Sequence, residues 1–235
     1  MIALASDFDN TIFFKEDEKL TRENVLAIKR FVDKGFKFCI ITGRNYSSVK
    51  RRIDEYKIPY HFLICDDGAK IFYKNDQELD TVYLEENTAK KIVKLLKNEK
   101  WHFYLDDGYK ETDSFKDCVK IVVDCDDDNE KDYIVNYIKE KVDVHIYASR
   151  KHVNIINKDV NKKNALEKLI KNVNISFSQL YVIGDNYNDY EMLKVFNGAV
   201  IKKHNSILDK LNKEEFDTIS SFIDFLLSDN SIKNQ

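Results

Sequence analysis

The chain has 235 residues, of which 43% are hydrophobic and 34% charged, with a formal net charge of −3. This profile excludes a disordered chain and a polybasic nucleic-acid binder, and at roughly 150 residues per domain the length predicts one or two domains. The apolar start breaks at Asp7 without a basic leader, and no run approaches the roughly 18 apolar residues of a membrane span, so a cytoplasmic protein is expected.

In chain order, the first third alternates apolar runs with helical periodicity: "IALAS", "TRENVLAIKRFVDKG", "FKFCIIT", "SSVKRRIDEYKI", "HFLIC". This βαβαβ order predicts a parallel sheet with right-handed crossovers, and strands such as "FCII", apolar on both faces, predict helices on both sides of it. Gly35 is placed to stop the first helix.

The grammar changes near Leu84. A helix "TAKKIVKLLKNEK" precedes strands "WHFYL" and "CVKIVVD", and a helix "NEKDYIVNYIKEK" precedes strands "VDVHIYA" and "KHVNIIN". The order αββαββ predicts a small antiparallel sheet with helices on one face, inserted over residues 84–157 between the halves 1–83 and 158–235 of an α/β domain. After Asn157 the parallel grammar returns with "KKNALEKLIKNV", "LYVIGD", "DYEMLKVF" and "GAVI". A last helix, "FDTISSFIDFLL", precedes a polar tail expected to fray.

Cys39, Cys65, Cys118 and Cys125 form no C-x-x-C pair and mostly lie in apolar runs, which predicts reduced, packed thiols. The five histidines include no two at metal-ligand spacing on one helix. Asp124, Asp126 and Asp128 match the start of a calcium loop, but Asn129 and Val135 stand where such a loop needs glycine and glutamate. The run therefore reads as a charged turn and an acidic helix start. Trp101, Phe103 and Tyr104 read as packing residues of a strand.

Ligands of open parallel sheets bind beyond the carboxyl ends of the strands, and four segments fall there: Asp7 and Asp9, then Thr42-Gly43-Arg44, then Lys162, then Gly184 to Asp189. Adjacent carboxylates repel, and a cation between them resolves the conflict. Asp7, Asp9 and Asp185 offer the hard oxygen ligands that suit Mg²⁺. Lys162 and Lys163 follow Asn161, a candidate N-cap, in a first helical turn where the macrodipole disfavours cations, so a lysine kept there has an anion to meet. Thr42 and the main chain of Gly43 can approach a phosphate closely.

Taken together, D-x-D-x-T at Asp7 to Thr11, the threonine of "ITGR", Lys162 in "KKNAL" and "GDNYND" resemble the four motifs of the haloacid dehalogenase (HAD) superfamily, in the right order along the whole chain. The resemblance implies a doubly wound, Rossmann-like core with an inserted α+β cap of the C2B form, in the Cof-type branch. Relatives in that branch act on phosphorylated sugars, phosphoglycolate and similar small metabolites. It further implies that Asp7 attacks phosphorus and Asp9 serves as acid and base. Phe8, Thr42, Gly43, Arg44, Lys162 and Asn188 would hold the phosphoryl group. Asp7, Asp9 (through its carbonyl) and Asp185 would ligate Mg²⁺, and Asp189 would orient Lys162 or the metal shell. Phosphomutase activity and a non-catalytic phosphate-binding role are the alternatives. The chain departs from the branch's usual pattern at Asn10, Lys163, Asn186, "DDGA" (Asp66 to Ala69) and the "KKHN" that follows "GAVI".

Overall fold

The computed structural model describes residues 2–149, 151–173, 176 and 179–228. Its strands are β1 (Ala3–Ser6), β2 (Lys37–Ile41), β3 (Phe62–Cys65), β4 (Lys70–Tyr73), β5 (Glu78–Thr81), β6 (Phe103–Asp106), β7 (Glu111–Thr112), β8 (Lys120–Asp124), β9 (His145–Ser149), β10 (His152–Ile156), β11 (Leu180–Gly184), β12 (Asn197–Ile201) and β13 (Glu214–Phe216). Its helices are α1 (Glu18–Asp33), α2 (Tyr46–Tyr56), α3 (Glu86–Asn98), α4 (Asp128–Lys139), α5 (Lys162–Val173), α6 (Tyr190–Val195) and α7 (Ile219–Ser228).

Eight strands form one sheet in the order β13-β12-β11-β1-β2-β3-β4-β5, parallel from β13 to β3 and antiparallel in the last two. Alternate residues of each central strand feed two separate cores. Leu4, Phe38 and Ile40 pack with α1, α2 and α7, whereas Ala5, Cys39 and Ile41 pack with α5 and α6. Helices thus cover both faces, which is why "FCII" is apolar throughout. Gly35 adopts a φ of +88° just past α1, a conformation that other residues take at a cost.

Five strands form the second sheet, antiparallel in the order β7-β6-β8-β10-β9. Ile121, Val123, Ile146, Val153 and Ile155 point to one face and pack under α3 and α4. Their neighbours face the other way: the register aligns Tyr104, Val122, Asn154 and Tyr147 across four strands. That second face meets the large sheet. Tyr147, Ile156 and Val119 pack with Ala69, and Lys120 forms a buried ion pair with Asp66 at 2.5 Å.

Four strands go beyond the sequence reading. The hairpin β4–β5 extends the large sheet past β3, β7 adds a two-residue edge to the smaller one, and β13 occupies the start of the expected last helix. The correction at β13 has a local cause. The Thr218 hydroxyl accepts from the Ser221 N–H at 3.1 Å, so the cap sets the helix start at Ile219 and leaves Phe216 in a strand. The tail expected to fray lies in residues 229–235, outside the described residues. All four cysteines are buried and free. In the acidic run, the Asp127 carboxylate accepts from the Glu130 N–H at 2.8 Å and caps α4. Among the described residues no helix is long and apolar enough to cross a membrane.

Candidate active site

The first strand delivers Asp7. Its N–H still donates to the Ile183 carbonyl at 2.9 Å, and the chain then turns, the Phe8 carbonyl accepting from Ile12 and Phe13 at 3.0 and 2.8 Å. Asn10 sits at a φ of +60°, a left-handed conformation that asparagine tolerates where most residues do not. The Phe8 ring is fully buried and stacks on Phe13 with centroids 5.6 Å apart, so only the main chain of Phe8 is available to a ligand.

Lys162 is the hub. Asn161 accepts from the Asn164 N–H at 2.8 Å, so it caps α5 and places Lys162 in the first turn. The Lys162 ammonium, 1% exposed, donates to Asp7 Oδ1 at 2.5 Å and to Asp189 Oδ1 at 2.6 Å. Those are the anions that its position against the helix dipole called for. Lys163 turns outward to Glu167 at 2.8 Å.

Asp189 is saturated. Its Oδ2 accepts from the N–H groups of Asp185 and Asn186 at 3.0 Å each, which ties the loop after β11 to Lys162. Gly184 is required here, because a Cβ at that position would lie 2.4 Å from the Asp189 carboxyl carbon. Asp185 Oδ1 accepts from the Thr11 hydroxyl at 3.3 Å, joining the first and last motifs.

The second strand end brings Thr42 and Arg44. The Thr42 hydroxyl accepts from the Arg44 N–H at 3.1 Å, and the guanidinium grips the Asp9 carboxylate in a two-point pair of 2.7 and 2.5 Å. Arg44 also lies over the Phe8 and Phe13 rings, 5.3 Å from each centroid. Asn188 donates to Asp67 Oδ1 at 2.7 Å.

Charge decides what this cluster can hold. Burial pushes the Asp7 carboxyl well above the usual carboxylate range; Lys162 opposes that shift, while Asp189 and Asp185 add to it. Asp185 is pushed up to about 6 by burial and by Asp189. Burial alone would lower Lys162, but Asp189 and Asp7 outweigh it and keep the ammonium charged. Carboxylate oxygens of Asp7, Asp185 and Asp189 all lie within 4.8 Å of one another. Both oxygens of Asp189 are already engaged, which leaves Asp7 and Asp185 as the carboxylates able to face a cation. Few hard oxygen donors with one ammonium against several carboxylates fits Mg²⁺ with water completing its shell. The Asp9 side chain is held by Arg44, so its main-chain carbonyl is the ligand it has to offer.

A cavity of about 430 Å³ opens over these groups, with Asp7, Thr42, Arg44 and Asp185 in its floor and Tyr147, Ala148 and Asn154 of the second sheet in its wall. Sequence reasoning placed none of the wall residues, nor Asp67. The alternation of "VDVHIYA" and "KHVNIIN" marks which residues share a face, but not which face meets the large sheet. The φ of +54° at Asp67 was signalled only by the departure at "DDGA".

An open α/β sheet with a carboxylate at the end of a central strand, a buried lysine beside it and an acidic loop across from it is an arrangement suited to phosphoryl chemistry. A family model for haloacid dehalogenase-like hydrolases matches residues 4–120 and 103–200, and the chain belongs to that family. It is 22% identical over 199 residues to the 5-amino-6-(5-phospho-D-ribitylamino)uracil phosphatase YcsE of Bacillus subtilis, an alignment covering 81% of this chain and 79% of that one. The fold is similar to that of a haloacid dehalogenase-like hydrolase from B. subtilis, with a TM-score of 0.83 at 15% identity, covering 96% of this chain and 100% of that one. It is also similar to the HAD subclass IIB sugar phosphatase BT4131, with a TM-score of 0.79 at 15% identity, covering 96% and 99%.

Proposed function

We propose that this chain is a Mg²⁺-dependent phosphatase of small phosphorylated metabolites, sugar phosphates or phosphoglycolate-like acids, working through an aspartyl-phosphate on Asp7. The observation that carries this reading is the Asp7 carboxylate, buried at a strand end between Lys162 and Asp185 in the floor of the cavity. The names of the relatives, a ribitylaminouracil-phosphate phosphatase and a sugar phosphatase, support the same reaction class.

In this reaction an Asp7 oxygen attacks phosphorus, the bond to the leaving oxygen breaks, and Asp9 gives that oxygen its proton. Water then attacks phosphorus, Asp9 takes its proton, and the bond to Asp7 breaks, releasing phosphate and restoring the carboxylate. Asp9 parts from Arg44 for these transfers, which frees the guanidinium to join Thr42, Lys162, Asn188 and the main chain at Phe8 and Gly43 around the phosphoryl oxygens. Asp189 holds Lys162 in place from behind. Asp7, Asp185 and the Asp9 carbonyl would hold Mg²⁺, which when bound would supply positive charge beside the phosphate oxygens. Residues 84–157 serve as a C2B-type cap over a core of residues 1–83 and 158–235. The four buried thiols support placing the reaction in the cytoplasm.

Phosphate release measured across sugar phosphates, phosphoglycolate, nucleotides and p-nitrophenyl phosphate tests this reading. Release with Mg²⁺ that stops with EDTA is expected. Phosphate moved between positions of one sugar, with none released, would favour a phosphomutase. Release from no ester with Mg²⁺ present would overturn the reading.

A further inference from the structure

The turn after β3 runs through the left-handed region, with Asp66 at a φ of +50°, Asp67 at +54° and Gly68 at +117°. Consecutive aspartates there are costly, and such strain persists only where the surrounding structure holds it. The bonds that hold this turn lead to the reaction centre. The Asp66 N–H donates to the Arg44 carbonyl at 2.9 Å, and the Asp67 N–H donates to the Thr42 carbonyl at 3.0 Å. The Asp67 carboxylate lies against Gly43, where a Cβ would come within 3.0 Å of its Oδ2.

That carboxylate, on a residue only 1% exposed, meets a side chain from each side of the cavity. From the large-sheet side, the Asn188 amide donates to Oδ1 at 2.7 Å. From the second sheet, the buried Tyr147 phenol on β9 hydrogen-bonds it, and burial followed by the charge of Asp67 pushes that phenol well above its ordinary value. Asn188 and Tyr147 line the cavity over Asp7, whereas Asp67 stands behind them and lines a neighbouring cavity of about 400 Å³ with Lys162. Asp67 therefore reaches a bound phosphoryl group only through its neighbours.

A carboxylate behind an amide controls which way the amide points. It only accepts, so the Asn188 amide must turn its NH₂ toward Asp67. One N–H is spent there, and the other is left for a phosphoryl oxygen. We propose that Asp67 is a positioning residue that fixes the Asn188 amide for phosphoryl binding and, through Tyr147, ties that orientation to the seating of the second sheet. This rests on the phosphatase reading above, in which Asn188 holds the phosphoryl group.

Inorganic phosphate carries no leaving group, so its affinity, measured by isothermal titration calorimetry with Mg²⁺ present, reads the phosphoryl-binding end alone. Asp67→Ala and Asn188→Ala should each weaken it roughly tenfold, as for one lost hydrogen bond, and the double variant should bind no more weakly than either. Tyr147→Phe should weaken it about threefold alone and not at all when added to Asp67→Ala. Asp67→Asn can accept from Asn188 through its oxygen and donate to the Tyr147 hydroxyl, so it should stay close to wild type.

Losses that multiply to about a hundredfold in the double variant would overturn the proposal, because residues acting separately add in free energy. So would wild-type affinity in Asp67→Ala, an Asp67→Asn as weak as Asp67→Ala, or a Tyr147→Phe effect that is the same in both backgrounds. The stoichiometry of each titration reports the folded fraction, so a partly folded preparation does not imitate a change in affinity. Hydrolysis of p-nitrophenyl phosphate by wild type, abolished in Asp7→Asn, separates this role from the reading beneath it. If hydrolysis holds while the losses multiply, the positioning role alone falls; if wild type hydrolyses no ester, the phosphatase reading falls and takes the role with it.

Discussion

Lys162 balances the charge of the site, since its single ammonium stands between Asp7 and Asp189, both buried. Removing one partner of a buried ion pair leaves charge uncompensated and costs about 3–5 kcal/mol. Lys162→Met should therefore lower the urea-denaturation stability by about that amount at neutral pH. The loss should shrink as pH falls through the range where the stranded carboxylates take up protons. The same variant should lose at least about a hundredfold in turnover, which steady-state kinetics would register. Individual residues were unevenly legible in the sequence. Lys162 was readable because it breaks a local rule, and Asn10 because its type suits a left-handed turn. The Arg44–Asp9 pair was not, because which of several acceptors an arginine finds is decided by packing between distant segments.

At the scale of elements, the turn after β3 and the strand β8 are joined by the buried pair of Asp66 and Lys120. Burial, opposed by Lys120, pushes the Asp66 carboxyl up to about 7. A carboxyl raised above its unfolded value stabilises the fold below that unfolded value, and the contribution fades as pH rises toward the folded one. The stability of wild type relative to Asp66→Asn should thus decline between about pH 4 and about pH 7, which chemical denaturation across that window would reveal. Two flat curves would contradict it. The parallel strands and their helices were legible because period and punctuation agreed over "FKFCIIT" and "LYVIGD". The hairpin β4–β5 was not. Glu78, Leu79 and Asp80 show no apolar alternation, and the strand exists because it pairs with β4. The short β7 and β13 are likewise edge strands with little burial of their own.

For the whole molecule, the two sheets meet over one cavity whose floor concentrates negative charge. A ligand that binds only the folded state stabilises it by mass action. Millimolar Mg²⁺ should raise the melting temperature of wild type by a few degrees, and the increment should vanish in Asp185→Asn. An equal increment in both would place the ion elsewhere. The floor of the cavity was readable from three of the sequence motifs, each of which follows a strand, and the fourth, Lys162 at a helix start, is bonded to Asp7 without lining the cavity. The wall was not, because facing is a property of how the second sheet docks. The most direct test is a rapid acid quench during turnover with Mg²⁺, followed by peptide mass mapping. The account predicts one added phosphoryl group on the peptide carrying Asp7, and neither the adduct nor phosphate release in Asp7→Asn. A phosphoryl group on any other residue, or hydrolysis that persists in Asp7→Asn, would contradict it.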